Sequence, residues 1–189
     1  MLDEQFGWCG CCVDPNANRM ASRTCAFFPV ALASRTGTAQ FSWGGPYSGL
    51  TEFVSSETHN AMHCDMAEHM WTSTVEVRTP LEVLESAHAP TEIDYLSLDV
   101  EGSEMEILRA FPFDKYRIAF ATIETNNDAA KEVEMRDFMC ERGYAFIGHA
   151  GNDDYFACEP ARRNLRYVPP LDYYERTEHT DKRSRRRNV

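Results

Sequence analysis

Carboxylate side chains stand where the sequence predicts three of its strands to end. These acids are Asp99 and Glu101 after one short apolar run, Glu124 at the end of a second, and Asp14 after a third. Ligands of open α/β sheets bind at the carboxyl ends of parallel strands, so we expect the acids to line one edge if the strands are parallel neighbours. Carboxylates at such an edge can accept a proton or orient a hydroxyl group. Each acid taken alone also fits an ordinary solvated turn.

The stretch of residues 93–111, with the sequence IDYLSLDVEGSEMEILRAF, positions the first two of these acids. Residues 93–98 are almost continuously apolar, which is typical of a short strand buried on both faces of a parallel sheet. Ser103 and Glu106 have the spacing of a helix capping box, and Pro112 ends the helix that follows. The stretch therefore predicts a strand, an acidic turn and a helix.

The remaining patterns predict a mixed α/β fold with an antiparallel pair of strands near its end. Further strands are predicted at residues 9–14, 26–32, 39–43, 74–78, 118–123, 144–147 and 155–158. The last two of these strands flank the turn HAGNDD and are expected to pair with each other. Further helices are predicted around residues 17–23, 79–88 and 129–142.

Five segments in a fixed order resemble the FkbM family of S-adenosylmethionine-dependent methyltransferases. They are GWCGCCVDPNANRM, FFPVALASRTG, IDYLSLDVEGSEMEIL, IAFATIETN and RGYAFIGHAGNDDYFA. The similarity runs from about Phe6 to Cys158, and DVEGSE with its following helix is its most specific part. The resemblance implies the class I methyltransferase fold with a Rossmann-like sheet.

The resemblance also implies a cofactor site for S-adenosylmethionine. It places Asp14 at the end of the second strand of the family's sheet, where an acid accepts hydrogen bonds from ribose hydroxyls. Pro15 and Asn16 adjoin this position and are expected to belong to the same site. Asp99 is expected to contribute to it from the end of a later strand.

The activity implied is O-methylation of a hydroxyl group on a sugar or another small metabolite. A sulfonium is already activated by its charge, so the protein mainly aligns donor and acceptor and removes the hydroxyl proton. Asp99 is the first candidate for this proton transfer. Glu101 and Glu124 are candidates for orienting the acceptor, or for binding a hard cation such as Mg2+ through their oxygens.

Only MLDEQF precedes the first segment of the resemblance. In the family's fold a first strand, a glycine-rich loop and a first helix come before that segment, so we expect an N-terminally incomplete sheet. An alternative is a degenerate methyltransferase fold that binds or interacts without catalysis. A dinucleotide-binding enzyme is disfavoured because a glycine-rich fingerprint between a strand and a helix is absent.

The charge is distributed unevenly along the chain. The formal net charge is -11, but the last nine residues, DKRSRRRNV, carry five basic side chains and one acid. The preceding 180 residues therefore carry a formal charge of -15. An acidic body argues against nucleic acid as the substrate. We expect a methyltransferase-like domain over residues 1–160 and a C-terminal extension with a basic, disordered tail over residues 161–189.

Other patterns bear on cellular location and on metal binding. No apolar run reaches the length of a membrane span, and the first residues lack the pattern of a signal peptide. The spacing of the seven cysteines does not form a compact disulfide framework, which indicates that most of them are reduced and buried. We therefore expect a cytoplasmic protein. Association into an oligomer is possible. His59 and His63 have a spacing that zinc ligands can use, but their surroundings favour a solvated loop or a short helix.

Overall fold

The structure is a computed structural model that describes residues 7–20, 23–54 and 71–162. The predicted histidine segment around His59 and the basic tail lie outside these residues. The described part divides into two compact units. The first unit takes in residues up to Thr91 together with Val100–Lys115, and the second takes in Glu92–Asp99 together with residues from Tyr116 onward.

The first unit contains short strands and short helices. Its elements are β1 (Cys11–Val13), α1 (Ala17–Met20), β2 (Ala26–Phe28), β3 (Ala31–Leu32), β4 (Gly37–Trp43), a 3-10 turn (Gly45–Tyr47), β5 (Gly49–Leu50), β6 (Trp71–Arg78), α2 (Pro80–Ser86) and α3 (Glu104–Ala110). The strands β1 and β2 pair in parallel. A second sheet has the order β3-β6-β4-β5, in which β3 and β6 are parallel and the other pairs are antiparallel. Its core consists of Ala31, Ala33, Phe41, Leu50 and Val77.

The second unit is a four-stranded mixed sheet with one longer helix. Its elements are β7 (Glu92–Leu98), β8 (Arg117–Glu124), α4 (Ala129–Cys140), β9 (Tyr144–Ala150), β10 (Asp153–Cys158) and α5 (Glu159–Arg162). The strand order is β7-β8-β10-β9. The strands β7 and β8 are parallel, and β10 pairs in the antiparallel sense with both β8 and β9. The predicted antiparallel pair at the end of the fold is therefore present.

The second unit is held together by apolar residues from the sheet and from α4. Ile118 and Ile123 of β8 and Phe156 of β10 are almost completely buried. Met135 and Met139 of α4 are fully buried as well. Full burial of such side chains stabilises a fold by roughly 1.5–3 kcal/mol each, so these residues contribute to the stability of the second unit.

The three strands predicted to carry the acids do not share one sheet in the described part of the chain. The strands before Asp99 and Glu124 are parallel neighbours, as predicted. The strand before Asp14 instead pairs with β2 in a separate two-stranded sheet. The prediction that residues 93–98 are buried on both faces is also wrong. The strand β7 lies at an edge of its sheet, so that Asp94 and Tyr95 are among its exposed residues.

The predicted capping box at the start of α3 is wrong. Ser103 is the N-cap residue, but its side chain makes no capping hydrogen bond, and its hydroxyl is buried without a partner among the described residues. The Oε1 atom of Glu106 instead accepts hydrogen bonds from the backbone N–H and the hydroxyl of Ser34, at 3.1 and 2.5 Å. A capping box does form at α2, where Thr79 and Glu82 bond reciprocally and Pro80 occupies the first turn.

One pair of cysteines departs from the prediction of mostly reduced, buried residues. Cys12 of β1 and Cys25 form a disulfide, with their Cα atoms 6.4 Å apart. The parallel pairing of β1 and β2 brings these two positions together, which the spacing in the sequence does not reveal. Cys9 and Cys140 are free and exposed, whereas Cys158 is free and buried.

Of the helices that the structure describes, none combines the length and the apolar character needed to cross a membrane.

Candidate active site

The side chains of Asp99 and Glu124 come together at the ends of two paired strands. Leu98 pairs with Ile123 in the register of β7 and β8, so the residues that follow stand side by side. Their carboxylate oxygens lie within 4.8 Å of each other. The predicted meeting of these two acids at one sheet edge is therefore observed in the structure.

The two carboxylates have different surroundings. Asp99 is exposed, whereas Glu124 is only 7% exposed. The side-chain amide of Asn126 donates a hydrogen bond of 3.0 Å to Oε2 of Glu124. This bond orients the buried carboxylate, while the carboxylate of Asp99 stays accessible to a ligand.

A third acid, Asp153, lies beside this pair and was missed by the sequence analysis. Asp153 begins β10 directly opposite Glu124 in the antiparallel register. Burial and then the negative charge of Asp99 raise the pKa of Asp153, against the opposing effect of His149. The acids of the turn HAGNDD were a signal for this position. A strand that follows this turn and pairs with β8 in the antiparallel sense begins at the sheet edge where β8 ends, so an acid at its start lies opposite Glu124.

Glu101 lies in the first unit, in the turn that precedes α3. Its backbone is left-handed, with a φ of 57°. Gly49 packs closely against this turn, since a Cβ atom placed on Gly49 would lie 3.1 Å from Cβ of Glu101. Gly102 has a φ of 116°, and a Cβ atom there would lie 2.6 Å from the carbonyl oxygen of Phe53. The backbone that carries Glu101 is therefore tightly constrained.

The turn around Glu101 is also fixed from within by Glu104. The side chain of Glu104 is completely buried. Its Oε1 atom accepts hydrogen bonds from the backbone N–H groups of Val100 and Gly102, at 3.2 and 3.0 Å. These two bonds tie the side chain to the backbone of the turn. The last acid of DVEGSE thus has a structural role that the sequence analysis did not predict.

The residues predicted to bind the cofactor form a tight turn after β1. The Oδ1 atom of Asp14 accepts the backbone N–H of Asn16 at 2.7 Å across Pro15. The backbone N–H of Asp14 donates to the carbonyl oxygen of Phe28 at 3.2 Å. The carboxylate is half-buried at the end of a parallel strand. An ionised carboxylate only accepts hydrogen bonds, which fits the hydroxyl donors of a ribose.

These features define an α/β protein with a carboxylate site at the carboxyl ends of adjacent parallel strands, a place where this fold class binds ligands. The family model described as the methyltransferase FkbM domain matches residues 2–146. The chain belongs to the FkbM methyltransferase family, as its segments predicted. Neither a curated protein nor a solved structure matches the chain. The family match includes Asp99 and Glu124 and ends before Asp153.

Proposed function

We propose that the protein is an S-adenosylmethionine-dependent methyltransferase that methylates a hydroxyl oxygen of a sugar or another small metabolite. Membership of the FkbM methyltransferase family supports the reaction type. The observation that carries the site is the meeting of Asp99 and Glu124 at the ends of β7 and β8. The parallel pair followed by antiparallel strands in this sheet supports a Rossmann-like class I fold.

Asp14, Pro15 and Asn16 are the residues we propose to hold the cofactor, with Asp99 contributing from β7. The carboxylate of Asp14 would accept hydrogen bonds from the ribose hydroxyls, and its bond with Asn16 fixes its orientation. When bound, S-adenosylmethionine supplies a methyl group that is activated by the sulfonium charge.

Asp99 is proposed to accept the proton of the methyl acceptor. It is the exposed member of the pair, so a hydroxyl group can reach it from solvent. Glu124 and Asp153 lie beside it at the same edge of the sheet. General-base catalysis requires a group within hydrogen-bonding reach of the proton that it removes, and Asp99 can meet this requirement.

Glu124 is proposed to orient the acceptor hydroxyl, since it is buried and held by Asn126. Glu101 is proposed as a second orienting group, carried on its constrained turn. Asp99 and Glu124 also offer oxygen ligands at a separation that a hard cation such as Mg2+ can use. We propose that binding of such a cation is optional and that, when bound, it would assist removal of the proton from the acceptor hydroxyl.

The proposed function also includes a cellular location, domain bounds and the charge of the acceptor. We propose a cytoplasmic protein whose catalytic domain covers residues 1–160 and whose extension covers residues 161–189. The strongly acidic body favours a small uncharged or cationic acceptor over nucleic acid. Association into an oligomer is compatible with this activity.

The experiment that tests the proposal is transfer of a labelled methyl group from S-adenosylmethionine to a panel of sugars and other hydroxyl compounds. Glu124→Gln should lower the rate of transfer by at least about tenfold, because the amide cannot accept hydrogen bonds as a carboxylate does. Glu141→Gln, at an exposed position after α4, is the matched control and should leave the rate unchanged. Equal rates in wild type and Glu124→Gln would contradict the site.

A further inference from the structure

The small sheet formed by β1 and β2 has few sources of stability besides a covalent link. Each strand has three residues, and the two strands form a sheet by themselves. All of their residues are exposed or half-buried, so neither strand contributes a fully buried side chain. A two-stranded sheet of this kind is marginally stable in water. The disulfide between Cys12 and Cys25 joins β1 to the residue directly before β2, and we therefore expect it to hold the pair together.

The turn that carries Asp14 begins directly at the end of this pair. The backbone N–H of Ala26 donates to the carbonyl oxygen of Gly10 at 3.1 Å, and the backbone N–H of Asp14 donates to that of Phe28 at 3.2 Å. The next bond along the chain is the one from the backbone N–H of Asn16 to Oδ1 of Asp14, at 2.7 Å. The position of the Asp14 carboxylate therefore depends on β1 remaining paired with β2.

The disulfide is accessible to small thiols, and the cysteines that precede it are free. Cys12 and Cys25 are both half-buried. Cys11 is free, and burial raises the pKa of its thiol. Because the thiolate is the attacking species in thiol–disulfide exchange, Cys11 is a poor competitor for the bridge beside it. Cys9 is also free, and it is exposed. Where such thiols are kept reduced, the disulfides that do occur are mostly transient, catalytic or redox-sensing.

We propose that the disulfide between Cys12 and Cys25 is a redox switch, which orders the turn at Asp14 when it is closed and releases this turn when it is reduced. An ordered turn favours binding of S-adenosylmethionine, because it holds the carboxylate in position for the ribose hydroxyls. This consequence rests on the proposed function, whereas the dependence of the turn on the bridge does not. When only a fraction of the molecules is competent to bind, the apparent affinity falls by that fraction.

The chemistry of the switch is reversible exchange with a small thiol such as glutathione. A glutathione thiolate attacks one sulfur of the bridge, forms a mixed disulfide and releases the other cysteine as a thiolate, which takes up a proton. A second glutathione thiolate attacks the glutathione sulfur of the mixed disulfide and releases the remaining cysteine, which is protonated in turn. Glutathione disulfide leaves, so the bridge gains the two electrons that the two glutathione molecules lose. In the reverse direction, glutathione disulfide is the oxidant.

The test is amide hydrogen exchange of the full chain, followed by NMR after equilibration with glutathione disulfide or with reduced glutathione. Differential alkylation and mass spectrometry report the state of the bridge in the same samples. Reduction should lower the protection of the Asp14 and Asn16 amides by at least about tenfold. The amide of Ile118, which donates to the hydroxyl of Tyr144 in the second unit, should keep its protection. Cys12→Ser should show the low protection under both conditions, and Cys140→Ser should behave as wild type.

Calorimetric titration of the same two wild-type samples with S-adenosylmethionine measures the consequence for the cofactor, and reduction should weaken the affinity by at least about tenfold. A bridge that stays closed in reduced glutathione would overturn the proposal, and so would equal protection of the turn in the two states. Loss of protection at Ile118 on reduction would show unfolding of the whole chain and would overturn a switch confined to the turn. The expected exchange profile without cofactor binding in either state would overturn only the proposed function.

Discussion

The carboxylate oxygens of Asp99 and Glu124 lie within 4.8 Å of each other, although 25 positions separate the two residues in the sequence. The parallel pairing of β7 with β8 produces this proximity, because Asp99 directly follows β7 and Glu124 is the last residue of β8. The side chain of Asp99 is exposed, whereas that of Glu124 is buried. Because of this difference in exposure, we expect the two carboxylates to have different roles.

Replacement of Asp99 by asparagine removes the proposed proton acceptor while keeping its size. We expect Asp99→Asn to lower kcat by about 100-fold or more, the usual contribution of a general base. Because Asp99 is exposed, the midpoint of thermal unfolding should change little. Asp94→Asn is the matched control, since Asp94 is an exposed acid on β7, the strand that Asp99 follows. A wild-type rate in Asp99→Asn would remove Asp99 from the mechanism.

Replacement of Asp153 by asparagine should alter the pH dependence of stability. Burial and the charge of Asp99 raise the pKa of Asp153, so its ionisation costs more in the folded protein than in the unfolded chain. This cost develops as the pH rises from the ordinary aspartate value of about 3.9 through the raised value. Asparagine does not ionise. Asp153→Asn should therefore gain stability relative to wild type between about pH 3 and about pH 7.

Thermal unfolding of wild type and Asp153→Asn at the two pH values measures this gain. Asp137→Asn, at an exposed position of α4, controls for the general effect of removing one negative charge. A stability difference that is the same at both pH values would show that Asp153 is not perturbed by its surroundings.

Replacement of Gly102 by alanine should destabilise the first unit. The left-handed φ of 116° and the approach of 2.6 Å to the carbonyl oxygen of Phe53 both oppose a side chain. Backbone strain of this kind costs about 1–3 kcal/mol, and the collision adds to it. Gly143→Ala is the control, because Gly143 has a φ of 82° with no atom within 4 Å of the added Cβ. Denaturant unfolding should show the larger loss for Gly102→Ala, and equal losses would contradict the packing of this turn.

The disulfide between Cys12 and Cys25 should contribute to stability next to the proposed cofactor site. Cross-linking a loop with a sequence separation of 13 is expected to stabilise the fold by about 2–4 kcal/mol. Cys12→Ser should lower the free energy of unfolding by this amount, and a reducing agent should do the same to wild type. Cys140→Ser, at an exposed free cysteine, should have no such effect. Insensitivity of wild type to reduction would contradict the bond.

The sequence predicted those parts of the site that depend on local patterns. Short apolar runs that end in acids identified the strands before Asp99 and Glu124, and the antiparallel pair β9 and β10 followed from the turn between them. The order of five segments identified the family.

The parts that the sequence did not predict depend on contacts between distant segments. The capping box expected from Ser103 fails because Ser34, far away in the sequence, engages Glu106. The partner of the strand before Asp14 is set by tertiary pairing, as is the disulfide. Asp153 was overlooked because it lies in the turn HAGNDD, and only the pairing of β10 with β8 places it opposite Glu124.

The most direct test is calorimetric titration of the full chain with S-adenosylmethionine, carried out on wild type, Asp14→Ala and Asp137→Ala. We predict saturable binding to wild type and Asp137→Ala, and affinity at least about tenfold weaker in Asp14→Ala, because two hydrogen bonds to a carboxylate are lost. Circular dichroism of each sample establishes that it is folded. Folded wild-type protein that gives no heat of binding would contradict the assignment of this chain as an S-adenosylmethionine-dependent enzyme.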